Sequence, residues 1–285
     1  MQVHEAWEQH RRWSQLATSQ KAALTRWRAR ALVCLVLGAL LGACATRSWL
    51  PRELTATIGA VSAALLALTA FIQARLVTAA RVQAWVAARA TSEALKGVVF
   101  QFLTAVAPFT GAQREQVLAA KVAQCEERGR DQAHLLAGVR GDGKALPPVA
   151  GIVDYVRDRA QEQRAWHESK VVVHHETARR WRFAELSATA LAAVLAAVGG
   201  ALGADVSAWV AVATTAGAAF AAHVASGEHE RLATSYAALT ADLTALLRPF
   251  DAQRAGPDQA AAFVAAVEAR LAVQVDGWAS LFPAT

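Results

Sequence analysis

The hydrophobic pattern of the chain begins with two long uncharged stretches, residues 31–46 and 54–74, which are joined by a short turn that contains Pro51. A helix rises about 1.5 Å per residue and the core of a bilayer is about 30 Å thick, so about 20 uncharged residues can cross it. The second stretch meets this length, and Arg28 and Arg30 can extend the first by snorkelling. The pattern predicts a transmembrane helical hairpin.

The second half of the chain repeats this pattern. Residues 183–204 and 206–227 are apolar, and only Asp205 lies between them. Two kinds of landmark dipeptide recur in the same order in the two halves: Trp27-Arg28 and Pro108-Phe109, then Trp181-Arg182 and Pro249-Phe250. Duplication explains this order better than chance does, so we expect two tandem hairpins.

A glycine-rich stretch separates the two halves. Residues 129–151 contain five glycines and the pair Pro147-Pro148, which is a composition typical of linkers. We therefore expect a first unit at residues 1–128 and a second unit at residues 152–285.

The segments outside the hairpins have the pattern of helices. The chain is rich in Ala, 55% of its residues are hydrophobic, and no useful length of it alternates as a strand does. Residues 2–30 should form an amphipathic helix that runs straight into the first membrane segment. A single helix should extend from residue 54 to residue 107, where Pro108 stops it. The fold class expected is all-α, an integral membrane protein with two tandem hairpins whose long helices extend into a cytosolic helical bundle.

The distribution of charge favours lipid over nucleic acid as the partner. The formal net charge is +6, and Arg and Lys crowd against the ends of the apolar segments. By the positive-inside rule both termini lie in the cytoplasm of a multi-pass protein of the bacterial inner membrane, although Arg47 and Arg52 oppose this placement for the first hairpin. The first 30 residues are charged and rich in Trp, so we expect no cleavable signal peptide.

Two sets of residues fit roles in anchoring and packing. Aromatic and basic residues at the segment ends are expected at the membrane interface: Trp27, Arg28, Trp49, Trp181, Arg182 and Trp209. A Gly-xxx-Gly pair lies in the first helix of each hairpin and should allow close helix packing within the hairpin: Gly38 and Gly42, then Gly199 and Gly203.

Polar side chains recur along the second helix of each hairpin. The candidates for lining a water-filled path in an assembled oligomer are Thr55, Ser62, Thr69, Gln73, Ser207 and Thr214. The alternative is that the hydroxyl groups bond backbone carbonyls and hold helices together. Glu185 and His223 should lie at a similar depth near the cytoplasmic face, where they form a proton-linked gate or a structural ion pair, or simply snorkel to the interface.

Catalytic and metal-binding patterns are not evident. His167 and His174, and likewise Glu168 and His175, are seven residues apart, about 10.5 Å along a helix, which is too far for two ligands of one ion. No Ser, His and Asp group or pair of carboxylates can be assembled. We expect no cofactor, no metal and no enzymatic activity.

Two motifs carry a family resemblance. Residues 164–170 read RAWHESK before a membrane hairpin, and residues 85–96 read WVAARATSEALK after one, in a helix that ends at Pro-Phe. This arrangement resembles the SLATT domain, the SMODS- and SLOG-associating two-transmembrane effector domain, over residues 5–128 and 153–282. Two copies in one chain depart from the simple form, and residues 230–236, ERLATSY, lack the fuller pattern of the first copy.

The resemblance implies a membrane effector of a prokaryotic conflict system, one that defends against phage. Such an effector is expected to form a homo-oligomer and to permeabilise the inner membrane when a cytosolic sensor or a nucleotide second messenger signals. Two alternatives stay open: a non-conducting, membrane-anchored helical scaffold, and a soluble bundle in which the Ala-rich segments are buried.

Overall fold

The structure, a computed structural model, describes residues 1–48, 50–202, 205–227 and 229–281. In this part of the chain the regular structure is entirely helical, which confirms the all-α prediction. The α-helices are α1 (Val3–Ala45), α2 (Arg52–Leu76), α3 (Ala79–Thr104), α4 (Arg114–Glu127), α5 (Ile152–Tyr155), α6 (Glu162–Leu202), α7 (Ser207–Gly227), α8 (His229–Leu247) and α9 (Pro257–Leu281). A 3-10 helix, Arg130–Leu136, follows α4, and a π-helical turn, Val156–Gln161, joins α5 to α6.

The predicted helix from residue 54 to residue 107 is wrong in its middle. The chain leaves the helical conformation at Val77, where φ is −122° and ψ is 50°, and α3 begins at Ala79. Val77 and Thr78 are β-branched residues with modest helix propensity, so neither resists a break. The burial pattern changes at the same place, because α2 buries only three residues and α3 buries eleven.

The other predicted helices are present with shifted ends. The amphipathic helix and the first apolar segment form one continuous helix, α1, as predicted. Helix α3 ends at Thr104, before Pro108, since Ala105 adopts a positive φ of 56° that does not continue an α-helix.

The helices form two units, each of which takes segments from both halves of the sequence. Unit 1 comprises Met1–Ala22, Ala79–Val172 and Arg231–Thr285, and unit 2 comprises Ala23–Thr78 and Val173–Glu230. The structural division therefore runs across the tandem halves that the sequence suggests, because each half contributes one apolar hairpin to unit 2 and its remaining helices to unit 1.

Unit 1 has an apolar interior made of large side chains. Trp13, Leu95 and Phe109 are at most 1% exposed and belong to one cluster of buried residues. The ring of Phe263 stacks on Phe250 with centroids 3.8 Å apart. This is the arrangement of a protein core that is surrounded by water.

Unit 2 has the opposite arrangement. Its buried apolar residues are mostly small: Leu24, Ala31, Ala43, Ile72, Ala178, Ala192, Ala213 and Ala219. Its large apolar side chains point outward, and Phe183 and Leu202 are 73% and 75% exposed. Alanine at the contacts lets helices approach closely, whereas the outward residues need an apolar surrounding.

The stretch expected to be a linker packs against the start of α1. Arg12 donates hydrogen bonds to the carbonyls of Leu136 and Val139, and Trp7 Nε1 donates to the carbonyl of Lys144 at 2.9 Å. After Leu136 the segment has no regular structure up to Ala150, yet these bonds hold it to unit 1.

Candidate functional site

Three helices of the described chain are long and apolar enough to cross a membrane. They are Val3–Ala45, Arg52–Leu76 and the continuous helix Ile152–Leu202, and only 17%, 17% and 6% of their apolar windows are buried. Since so little of these windows is covered by protein, the helices do not form the interior of a soluble bundle. Together with their length, this places the chain among membrane proteins.

The first hairpin closes around its two glycines. A Cβ atom at Gly38 would lie 3.0 Å from Cγ and Cδ2 of Leu66, and one at Gly42 would lie 3.1 Å from Ser62 Oγ. Both positions therefore face α2 within the same hairpin, where a larger residue would push the helices apart.

Hydroxyl groups of α2 also take part in this contact. Ser62 Oγ donates a buried hydrogen bond to the Gly38 carbonyl at 2.7 Å. Thr69 Oγ1 lies 3.4 Å from the Ala31 carbonyl and donates to the Leu65 carbonyl of its own helix at 3.0 Å. In the single chain these two candidate pore residues therefore hold the hairpin together.

The remaining pore candidates are more accessible. Thr55 is half-buried, whereas Gln73, Ser207 and Thr214 are exposed. Thr214 Oγ1 donates to the carbonyl of Val210 one turn earlier, at 2.8 Å, so its hydroxyl proton is satisfied within α7.

The second hairpin uses a glycine that the sequence reasoning missed. Gly199 is buried, and Gly203 lies outside the described residues. The close approach is made by Gly217, where a Cβ atom would lie 3.2 Å from Thr189 Oγ1. The spacing of Gly217 from its neighbours gives no Gly-xxx-Gly pair, so only the small size of the residue could have indicated this contact.

Of the predicted pair Glu185 and His223, the histidine ring lies against Trp181, with centroids 4.4 Å apart, and Trp181 also contacts Phe220. A proton-linked gate at these two residues stays a prediction.

Several of the expected interfacial residues that the structure describes contact aromatic or charged groups. The Arg30 guanidinium lies 4.6 Å from the Trp27 ring, and Arg182 forms an ion pair with Glu230 at 2.6 Å. At the turns of the hairpins, Arg47 lies 5.5 Å from the Trp209 ring and donates to the carbonyl of Asp205. Arg28 lies on α1 within unit 2, and Trp49 lies outside the described residues.

The histidines considered as metal ligands have other contacts. His167 Nδ1 lies 2.7 Å from the Gln163 carbonyl and donates to it, and the Nδ1 atoms of His174 and His229 are 2.8 Å apart. Within the described ranges no group of three or more His, Cys, Asp or Glu side chains is arranged to hold a metal ion.

Unit 1 contains a cavity of about 810 Å³ that is rich in cationic side chains. Seven Lys and Arg residues line it: Arg11, Arg89, Lys96, Lys121, Arg128, Lys144 and Arg159. The acidic residues in its wall are Glu93, Glu162 and Glu268. The wall therefore carries a formal excess of four positive charges.

One wall of the cavity is built around the buried residue Arg159. Its Nε and Nη2 atoms donate to the two carboxylate oxygens of Glu268, each at 2.9 Å, and the Tyr155 hydroxyl donates to the same carboxylate at 2.9 Å. A Cβ atom at Gly97 would lie 2.7 Å from Glu268 Oε2, so glycine gives the carboxylate its space. Burial alone would lower the pKa of Arg159. The Glu268 carboxylate raises this pKa by more than burial lowers it, so the guanidinium stays charged.

Two buried donors of the wall have no hydrogen-bond acceptor among the described residues, namely Nη1 of Arg159 and Nε2 of Gln274. Leaving a buried donor unsatisfied costs about 1–3 kcal/mol, and more if it is charged. Such donors are expected where an acceptor is brought by a bound molecule.

The ionisable groups around this wall influence one another. Burial by itself raises the pKa of Glu93, but the cations Arg89 and Lys96 lower it to about 2, and Arg89 Nη2 lies 2.7 Å from its carboxylate. Burial lowers the pKa of Lys96 and lowers that of His10 to about 3. The histidine is therefore neutral at pH 7, and the positive character of the cavity comes from Lys and Arg.

The sequence reasoning did not find this cavity. Glu268 is the one acidic residue in the apolar run from residue 260 to residue 269, and Tyr155 precedes Arg159 by four residues on one helical face. An isolated charge in an apolar helix is the signal of a buried ion pair, but the partner on a distant helix cannot be identified from spacing.

Comparison with known families assigns each half of the chain separately. Residues 155–278 match the family model described as SMODS and SLOG-associating 2TM effector domain 1, and residues 11–116 match a family described as a protein of unknown function, DUF4231. No curated protein and no solved structure matches the chain.

Each matched range contains one apolar hairpin. The first contains α2 and the apolar part of α1, and the second contains α7 and the apolar part of α6. The two-transmembrane description thus agrees with the hairpin in the second range. Over residues 155–278 the chain therefore carries a SLATT domain.

Proposed function

We propose that the chain is a non-catalytic membrane effector of a prokaryotic conflict system, which oligomerises and permeabilises the inner membrane on a cytosolic nucleotide-type signal. The proposal rests on the arrangement of side chains in unit 2. Its large apolar side chains face outward, and its helix contacts are made by alanine, glycine and hydroxyl groups. The match to an effector family supports the same function.

Both hairpins span the membrane in this proposal. Helix α7 is the fourth span, since it pairs with the apolar part of α6 in the range that matches a two-transmembrane domain. Arginines crowd at the open ends of both hairpins, among them Arg30, Arg75 and Arg182. The positive-inside rule then gives four spans with both termini in the cytoplasm.

Exposed polar side chains on the spans support assembly into an oligomer. Gln73 is exposed on α2, and a polar amide that faces lipid without a partner is costly; Ser207 and Thr214 are also exposed, on α7. Contact with a second copy, or with water in a path between copies, removes that cost. We therefore assign Gln73, Ser207 and Thr214 to the path and Ser62 and Thr69 to packing.

The test is a permeability measurement on the full chain. Expression in bacteria, read with a potential-sensitive dye, should depolarise the membrane, and Gln73→Leu or Thr214→Leu should reduce the signal about tenfold by removing polar groups from the path. Thr57→Leu is the matched control, because Thr57 is also exposed on α2 but lies about 160° around the helix from Gln73 and therefore faces away from the path. Unchanged depolarisation in both leucine variants would contradict the assigned path.

A membrane-anchored scaffold is the second candidate function. The observation that favours it is the buried bond from Ser62 to the Gly38 carbonyl, which uses a hydroxyl for packing rather than for water. A scaffold would leave the membrane potential unchanged while oligomers form normally, as measured by cross-linking in the same cells.

A further inference from the structure

We propose that the cavity of unit 1 binds a soluble phosphate ester of nucleotide size. The inference rests on the proposed function, because it gives the effector a place where its signal binds, but binding is measured independently of permeability.

The cavity favours an anionic ligand through its charge. Its wall carries an excess of four formal positive charges, and neither histidine of the wall contributes, since burial lowers the pKa of both His10 and His167. Some of these cations already have acidic partners: Arg89 pairs with Glu93, and Arg11 pairs with Asp142. Lys96 and Lys121 have no ion pair within 4.0 Å in the described part of the chain. These two ammonium groups are available to a ligand.

The unsatisfied donors provide an independent argument. Arg159 is 1% exposed and spends Nε and Nη2 on Glu268, which leaves Nη1 without an acceptor. Gln274, 9% exposed, lines the same cavity and has a free Nε2 donor. A phosphate group carries several strong acceptor oxygens and suits a guanidinium donor particularly well.

The position of Arg159 in the fold is unusual. It lies on the π-helical turn Val156–Gln161, which interrupts the otherwise continuous helix from Ile152 to Leu202. Such turns are rare and occur frequently at functional sites. Together with the positive charge and the unsatisfied donors, the π-helical turn indicates that this wall of the cavity binds a ligand.

The size and the remaining lining groups fit a ligand larger than inorganic phosphate. A volume of about 810 Å³ lies within the range of small-molecule sites. The lining includes the amide side chains of Gln101, Gln124 and Gln163 and the ring of Trp166, which is 37% exposed. Amides bond the edges of a nucleobase and an aromatic ring stacks on its face, so the wall offers groups for both parts of a nucleotide.

A soluble ligand fits better than a lipid headgroup. The cavity belongs to unit 1, most of whose large apolar residues are buried in a core, whereas fourteen of the twenty exposed large apolar residues that the structure describes belong to unit 2. A phospholipid would need an apolar surface for its chains beside the cationic site.

The test is calorimetric titration of the purified full chain in an uncharged detergent. The probes are ATP and cyclic diadenylate, with adenosine as the matched probe that lacks phosphate. At least one of the phosphate probes should bind tighter than about 1 mM, weaken as salt is added, and exceed adenosine by at least about tenfold.

Variants then locate the binding. Lys96→Gln and Lys121→Gln should each weaken the bound probe about five- to tenfold, since each removes one charged donor. Arg140→Gln is the matched control, because Arg140 is an exposed cation of unit 1 outside the cavity lining, and its affinity should change less than about twofold. Circular dichroism confirms that all three variants stay folded.

Three results would overturn the inference: no binding of either phosphate probe, equal weakening in Arg140→Gln, or displacement of the probe by phosphatidylglycerol in the micelles, which would indicate a lipid site. Permeability gives a separate readout. If a phosphate probe binds but the membrane is never permeabilised, the ligand site is supported and the proposed function is contradicted. If the membrane is permeabilised but no probe binds, the proposed function is supported and the ligand site is contradicted.

Discussion

Units 1 and 2 bury opposite kinds of side chain. Of the large apolar residues that the described chain exposes, fourteen belong to unit 2 and six to unit 1. Unit 1 buries Trp, Phe, Leu and Tyr, while unit 2 buries mostly Ala and turns Phe71, Leu191 and Val194 outward. Both units are helical, and they differ in where most of their large apolar side chains lie, inside unit 1 but on the outer surface of unit 2.

The buried polar groups differ in the same way. Unit 1 encloses a charged residue, Arg159, together with its acidic partner Glu268, whereas the buried polar residues described in unit 2 are the hydroxyls of Ser62 and Thr69. A hydroxyl satisfies itself on a nearby carbonyl, but a buried charge needs a specific partner. Unit 1 therefore depends on specific pairing of buried charges, whereas unit 2 depends on close packing of its helices.

The largest expected effect comes from breaking the buried ion pair. Glu268→Gln leaves Arg159 charged and uncompensated, so the free energy of unfolding should fall by about 3–5 kcal/mol. Asp242→Asn is the control, since its pair with Arg270 is 3.6 Å long and about half exposed, and it should cost at most about 1 kcal/mol. Guanidinium unfolding in detergent, followed by circular dichroism, measures both. Equal losses in the two variants would mean that burial does not distinguish the pairs.

A pair of leucines tests the contrast between the units directly. Leu95 of unit 1 is fully buried, and Leu191 of unit 2 is 53% exposed. Leu95→Ala should lower the free energy of unfolding by about 2–5 kcal/mol, because it leaves a cavity in a packed core. Leu191→Ala should change it by only about 0.5 kcal/mol. The comparison breaks if the same unfolding measurement gives Leu191→Ala the larger loss.

The smallest of the three effects is a pH dependence that arises in unit 1. Burial lowers the pKa of His10 from 6.5 to about 3. Between these two pH values the histidine is protonated in the unfolded chain but neutral in the folded chain. Stability should therefore fall as the pH drops from 6.5 towards 3, by about 2 kcal/mol at pH 5 from this histidine. Thermal unfolding at pH 7.5 and pH 5 measures the loss.

The variants for this measurement separate His10 from other groups. His10→Gln should remove about 2 kcal/mol of the loss, and His167, whose pKa burial also lowers, should keep its own share. The exposed His4 offers the control His4→Gln, which should retain the full dependence. Glu93 does not interfere with this measurement, because its pKa is lowered from 4.5 to about 2. Its contribution to the stability is therefore lost only as the pH falls below about 4.5. A wild-type stability that is flat between pH 7.5 and pH 5 would contradict the assignment.

Local patterns predicted most of the helices and failed where distant groups decide. The run of uncharged residues predicted α2 and the Gly-xxx-Gly pair predicted the contact of Gly38. The break at Val77 carries no proline or glycine signal, because it depends on a change in what the helix faces. The cavity wall was missed for a related reason, since Glu268 meets Arg159 across 109 residues of sequence.

By itself, the sequence determined that the chain is helical and that its apolar runs are long enough to cross a bilayer, because length, hydropathy and periodicity are properties of neighbouring residues. Only the tertiary structure decided that one unit collects the apolar hairpins of both halves and that the other encloses a cationic cavity. Which side chains meet depends on how helices that are far apart in the chain pack, and no local pattern records that arrangement.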